Sequence, residues 1–257
     1  MRFKKSIAAI VIVMFAHTCY PKAKPTIHKC DKPVRIAIID TGFGYQDRGH
    51  GANLCRYGHK DFSIDRQFTH NYDTRDLVPI DLNSHGTNVA GIIDGYAKKA
   101  NIDYCLIIIK YYSGHQFARQ NVEASIDAIN YATNIHADYI NYSSGGINPI
   151  SLEKYVIEKY LNQGGTFVTI AGNNGQNLDL PQNTIYPGMY DKRIVVTGNL
   201  TMNGIRDSSS NYGDAVNRWE VGDDITAYGI TMSGTSMSTA VATGKLVAQK
   251  SKTCDSR

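Results

Sequence analysis

Beyond its first eighteen residues the chain has no run that approaches the ~18 consecutive apolar residues a membrane-spanning helix needs, so no stable membrane span is expected there. It also lacks a Pro/Ser-rich or charge-run linker, an internal repeat and a low-complexity tract, and its 257 residues therefore read as one main folding unit. Cysteine and histidine occur with neither CxxC nor HxxxH spacing, so nothing supports a metal site; His50, His59 and His70 read as surface loop residues. Excess charge is scarce too. The formal +4 includes Arg2, Lys4 and Lys5, with no acidic residue among the first eighteen, so the remainder carries only +1. That is too little to suggest nucleic acid as a partner.

What is present begins with a targeting pattern. A basic cluster, Arg2 to Lys5, directly precedes the apolar run Ile7–Ala16, and polar His17 and Thr18 follow. This is the layout of a secretory signal peptide. The expected organisation is a signal peptide over 1–18, a short extension over 19–33 and a catalytic-sized domain over 34–257, exported to the periplasm or the medium. Export permits disulfides. The five cysteines, Cys19, Cys30, Cys55, Cys105 and Cys254, are odd in number. Cys105 lies in the apolar run Cys105–Ile109 and reads as a buried free thiol; Cys30 and Cys55 can pair, though spacing does not decide it.

Continuous apolar runs at Val34–Ile39, Ile102–Ile109, Tyr139–Tyr142, Thr166–Ala171 and Arg193–Thr197 predict buried parallel strands. Between them Val122, Ile126 and Ile129 share one helical face, and Leu152, Tyr155, Val156 and Tyr160 another. Ser151 is expected to cap the second helix, Glu153 to sit in its first turn, and Gly164-Gly165 to stop it. Alternating strands and helices imply an α/β three-layer sandwich, a mainly parallel sheet flanked by helices, with ligands bound beyond the carboxyl ends of the strands. Asp40 and Asn173 each follow a strand, and the segments around His85 and Ser236 each begin a helix, so all four can meet at that edge.

A serine hydroxyl is a weak nucleophile until a histidine accepts its proton and a carboxylate holds the histidine's tautomer. Ile36–Gly42 ends a buried strand in Asp-Thr-Gly, and Ser84–Gly91 reads Ser-His-Gly-Thr-Asn-Val-Ala-Gly. Ile140–Gly146, Ala171–Gly175, Ser209–Gly213 and Gly234–Met237 follow in order. Together these segments resemble the subtilase family over roughly residues 34 to 250, in the order Asp, His, Ser. The resemblance implies a subtilisin-like fold and a serine endopeptidase with Asp40, His85 and Ser236 as catalytic triad and Asn173 as oxyanion donor. It also implies a substrate-binding site walled by Ser143, Ser144, Gly145, Gly146, Ala171 and Gly172. Its slot has no ionisable group at the base, so uncharged residues should precede the cut. With histidine as base, activity should fall near the ordinary pKa of ~6.5.

The partners implied are polypeptide substrates. No cofactor is required for the chemistry, no metal ligand is assigned, and structural calcium is left open. Asn88 stands where the family has a second histidine, Ser144 where leucine is common, and Ala240 where proline is usual. Only about a dozen residues separate the expected cleavage site from the first strand, where secreted relatives carry a folding segment. Slow unaided folding is therefore expected, or help from a folding partner in trans, or inactivity until a partner arrives. The competing reading is a subtilase fold that no longer cleaves and serves as a binding or regulatory module; an inhibitor is a further candidate partner. A nucleotide-binding reading prompted by Gly42-Phe43-Gly44 fails because Asp47 stands where the third glycine of GxGxxG belongs.

Overall fold

A computed structural model describes residues 32–44, 51–63, 69–70, 78–114 and 118–254. The expected signal peptide, most of the extension, Cys19, Cys30 and His50 lie outside the described residues. The elements, in chain order, are β1 (Val34–Asp40), β2 (Lys60–Asp61), β3 (Thr69–His70), β4 (Val78–Pro79), α1 (His85–Ala100), β5 (Tyr104–Lys110), α2 (Ala118–Asn134) and β6 (Tyr139–Tyr142). They continue with α3 (Ser151–Asn162), β7 (Thr166–Ile170), β8 (Val195–Leu200), β9 (Arg218–Val221), the hairpin β10 (Ile225–Ala227) and β11 (Ile230–Met232), and α4 (Thr235–Cys254).

Seven strands form one sheet in the order β2-β5-β1-β6-β7-β8-β9, and every pairing within it is parallel. Alternation along β1 divides the core. Ala37 and Ile39 face α2 and α3, packing with Ile126, Ile129, Ile157 and Phe167. Ile36 and Ile38 face α1 and α4, packing with Val89, Ile93, Met237 and Val241. This is the α/β three-layer sandwich that the alternating pattern predicts. Among the described residues no helix is long and apolar enough to cross a membrane.

Four expectations need correction. Cys105 is bonded to Cys55 rather than free. The reason is a strap, residues 53–62, that runs along the outer side of β5. Leu106 N donates to Asn53 O at 2.8 Å, Cys55 N to Leu106 O at 2.9 Å, and Phe62 N to Lys110 O at 2.7 Å, which places Cys55 and Cys105 side by side. His59 belongs to the same strap and is buried, not a surface residue. Ile108 N donates to its Nδ1 at 3.0 Å, and its Nε2 lies 2.8 Å from Cys55 O. Ser151 does not cap α3: Ile150 precedes the helix, with no side-chain cap bond. The predicted inward stripe of α3 is also rotated. Val156 and Tyr160 are buried, but Leu152 and Tyr155 face solvent, and Glu153, Ile157 and Leu161 point inward instead.

Candidate active site

Asp40 ends β1, buried at the carboxyl edge of the sheet. Its Oδ1 accepts the Thr41 amide at 2.8 Å and faces His85 Nδ1 at 2.8 Å. A carboxylate oxygen can only accept, so Nδ1 carries the proton and Nε2 is left as the basic nitrogen. Asp40 raises the His85 pKa above its ordinary 6.5 by charge attraction, against the lowering effect of burial and with a hydrogen bond and Asp81 adding to the rise.

His85 is the first residue of α1, and an aspartate that sequence reasoning missed holds that helix end. Asp81 Oδ1 accepts from the amides of Asn83 and Ser84 at 2.8 Å and from Thr41 Oγ1 at 2.9 Å; Oδ2 accepts the Thr87 amide at 2.9 Å. Ser84 itself sits at φ 76 and makes no cap bond. The signal was legible in principle, since an aspartate shortly before a helix satisfies its free N–H groups. Gly86 is required by contact: a Cβ there would stand 2.5 Å from Gly42 O.

Ser236 lies in the first turn of α4, where the helix dipole favours negative charge. Gly234, at φ 133, makes the turn into it. Asn173 Oδ1 accepts from Thr235 N at 2.9 Å and Thr235 Oγ1 at 2.8 Å, so its carbonyl is anchored to the helix start while the amide Nδ2 has no hydrogen-bond partner among the described residues. The loop carrying Asn173 is pinned by buried Asn211. Its Nδ2 donates to Ala171 O at 2.9 Å, and its Oδ1 accepts from Asn174 N at 3.1 Å and Gln176 N at 2.9 Å.

The sheet thus gathers Asp40 with His85, and Ser236 with Asn173, at one edge. No hydrogen bond joins the two pairs. Ser236 Oγ donates to Ser143 O at 3.3 Å, and Ser143 Oγ returns a bond to Ser236 O at 3.1 Å. Ser143 is buried, whereas Gly145 and Gly146 are exposed. Gly146 is paired with Tyr186 through two backbone bonds of 2.8 and 2.7 Å.

The expected slot between Ser143–Gly146 and Ala171–Gly172 is occupied. A Cβ on Gly145 would lie 3.4 Å from Ile185 Cγ1, and one on Gly172 would lie 2.6 Å from Ile185 Cδ1, so this side chain bridges the walls. A large open volume lies on the other side. A cavity of about 570 Å³ is lined by Asp40, His85 and Ser143–Gly146 and continues past Tyr111, Tyr142 and Val122 to Glu153; neither Ala171 nor Gly172 borders it.

Residues 31–254 match the family model for the subtilases, peptidase family S8. The chain is 26% identical over 235 residues to the major intracellular serine protease of Bacillus subtilis strain 168, covering 86% of this chain and 69% of that one. It is 32% identical over 228 residues to the thermophilic serine proteinase of Bacillus sp. strain AK1, covering 81% of this chain and half of the relative. The fold superposes on the crystal structure of a cold-adapted subtilisin-like serine proteinase with a TM-score of 0.68 at 24% identity, covering 86% of this chain and 76% of that one. With its sheet order, its Asp–His contact and its serine at a helix start, the chain belongs to the subtilase family of serine endopeptidases.

Proposed function

We propose that this chain is an exported endopeptidase that cleaves polypeptides through an acyl-enzyme, with Ser236 as nucleophile, His85 as base and Asp40 as its orienting partner. The observation that carries the reading is the 2.8 Å contact between His85 Nδ1 and Asp40 Oδ1, which leaves Nε2 as the proton acceptor at the edge where Ser236 begins α4. His85 Nε2 takes the Ser236 proton as Oγ attacks the scissile carbonyl, and the imidazolium then passes that proton to the departing amine. Water repeats the sequence on the ester. The oxyanion is met by the Ser236 amide and by Asn173 Nδ2, a donor held in place by the anchored carbonyl of the same side chain. These steps need no cofactor. The substrate strand lies along Ser143–Gly146, where Gly145 and Gly146 are exposed.

Export rests on the basic and apolar pattern of residues 1–16. A non-cleaving binding module is the second reading, favoured by one observation: Ser236 Oγ is directed to the Ser143 carbonyl rather than to His85. A fluorophosphonate probe separates the two. It should label the wild-type chain and not Ser236→Ala, and casein hydrolysis should disappear in the same variant. A correctly folded wild-type chain that takes no label would overturn the protease reading.

A further inference from the structure

Glu153 has no role in the triad, yet it is a buried carboxylate at the wall of the catalytic cavity. Its Oε2 accepts from Tyr190 Oη at 2.8 Å, and that phenol is itself fixed by the Ile150 amide at 2.7 Å. Oε1 has no hydrogen-bond partner among the described residues. Among the described residues the cavity is lined by two carboxylates, Asp40 and Glu153, and by no lysine or arginine. Among the described residues Asp40 is matched by His85, and Glu153 only by a neutral phenol. Burial pushes the Glu153 carboxyl above its ordinary range, and the Tyr190 bond only partly offsets this. A buried anion without a counter-charge is unfavourable, and a cation that desolvates beside it restores the balance.

The walls between Glu153 and His85 suit the stem and head of such a cation. Tyr111, Tyr142 and Tyr186 offer aromatic surface and Val122 an aliphatic one. We infer that Glu153 forms a specificity subsite for an arginine or lysine side chain of the substrate, at a position other than the residue preceding the cut, whose slot lies at Ile185. This rests on the endopeptidase reading for the word substrate, but the subsite itself is a matter of binding.

The test uses the full chain carrying Ser236→Ala, so that peptides bind without turnover. Calorimetry compares acetylated pentapeptide amides with arginine at one position at a time against the same peptides with citrulline, its neutral isostere. Arginine should bind about ten- to a hundredfold tighter at one position, the range for a hydrogen bond to a charged group. The difference should vanish when Glu153→Gln is added, which keeps an acceptor for Tyr190. Equal binding of arginine and citrulline everywhere, or a preference that survives Glu153→Gln, overturns the subsite. Should the double variant fail to fold, the carbon-13 shift of the Glu153 carboxyl reads the same contact: arginine peptide should move it and citrulline peptide should not, and no difference overturns the subsite. Failure of the wild-type chain to cleave any peptide would sink the endopeptidase reading and leave this binding measurement intact.

Discussion

Asp40 stabilises the charged form of His85, and a base is useful only when it is neutral. The two facts set the acid limit of the site. Because the folded pKa lies above 6.5, kcat/KM should fall with acid at a midpoint above that value, not near it as the sequence alone suggests. The stability contribution of the charged pair is present below the unfolded pKa and fades as pH rises through the folded one. A pH profile of kcat/KM with its acid midpoint below 6.5 would contradict the assignment. Asn173 makes a different prediction. Its carbonyl is tied to Thr235, and on the proposed oxyanion role its amide is held for a charge that appears only during reaction. Asn173→Ala should lower kcat by about 10²–10³-fold with KM little changed, a magnitude established for subtilisin's own oxyanion asparagine and carried over from it. A change confined to KM would make Asn173 a substrate-binding residue instead.

Among the elements, the buried strands were the most legible in the sequence, because a strand covered on both faces must be apolar throughout. The run Tyr139–Tyr142 coincides with β6 at both ends, while Arg193–Thr197 starts two residues ahead of β8. There Asp191 accepts the Arg193 amide at 2.8 Å and closes a turn first. The charged edge strand β9 and the short hairpin β10–β11 carry no such apolar signal, and the sequence pattern does not predict them. The expected phase of α3 is rotated from the observed one because Leu152 and Tyr155 look like core residues yet face solvent. Yet Val156, Ile157, Tyr160 and Leu161 repeat three, four, seven and eight positions after Glu153, and that period assigns the carboxylate to the inner face. Motif order made the positions of Asp40, His85, Asn173 and Ser236 legible. The filling of the slot was not, since Ile185 lies outside every motif and reaches the walls only through the fold. Ile185→Gly should open the space between Gly145 and Gly172. Cleavage after phenylalanine or leucine should then rise about ten- to a hundredfold in kcat/KM, the equivalent of burying one such side chain. An unchanged profile in a peptide library would show that Ile185 does not limit the slot.

At the scale of the whole molecule, the cross-link between Cys55 and Cys105 closes a long loop, with a sequence separation of 50. Loop-closure entropy assigns such a bond about 4 kcal/mol of stabilisation. Its position adds a second consequence. Beneath the strap lies Leu106-Ile107-Ile108-Ile109, a run of aliphatic residues without a charge in the interior of β5, whose outward amides are taken up by Asn53 and His59. Strip the strap away and the molecule acquires a long, flat, apolar strand edge, the template on which identical chains pair and aggregate. Reduction under mild conditions should therefore be seen first as self-association, by light scattering, at temperatures where the circular dichroism of the helices is unchanged. Loss of helix before any scattering would show that the strap guards nothing. On this view the disulfide is a solubility device as well as a staple, keeping the most adhesive strand of the sheet from meeting its copies.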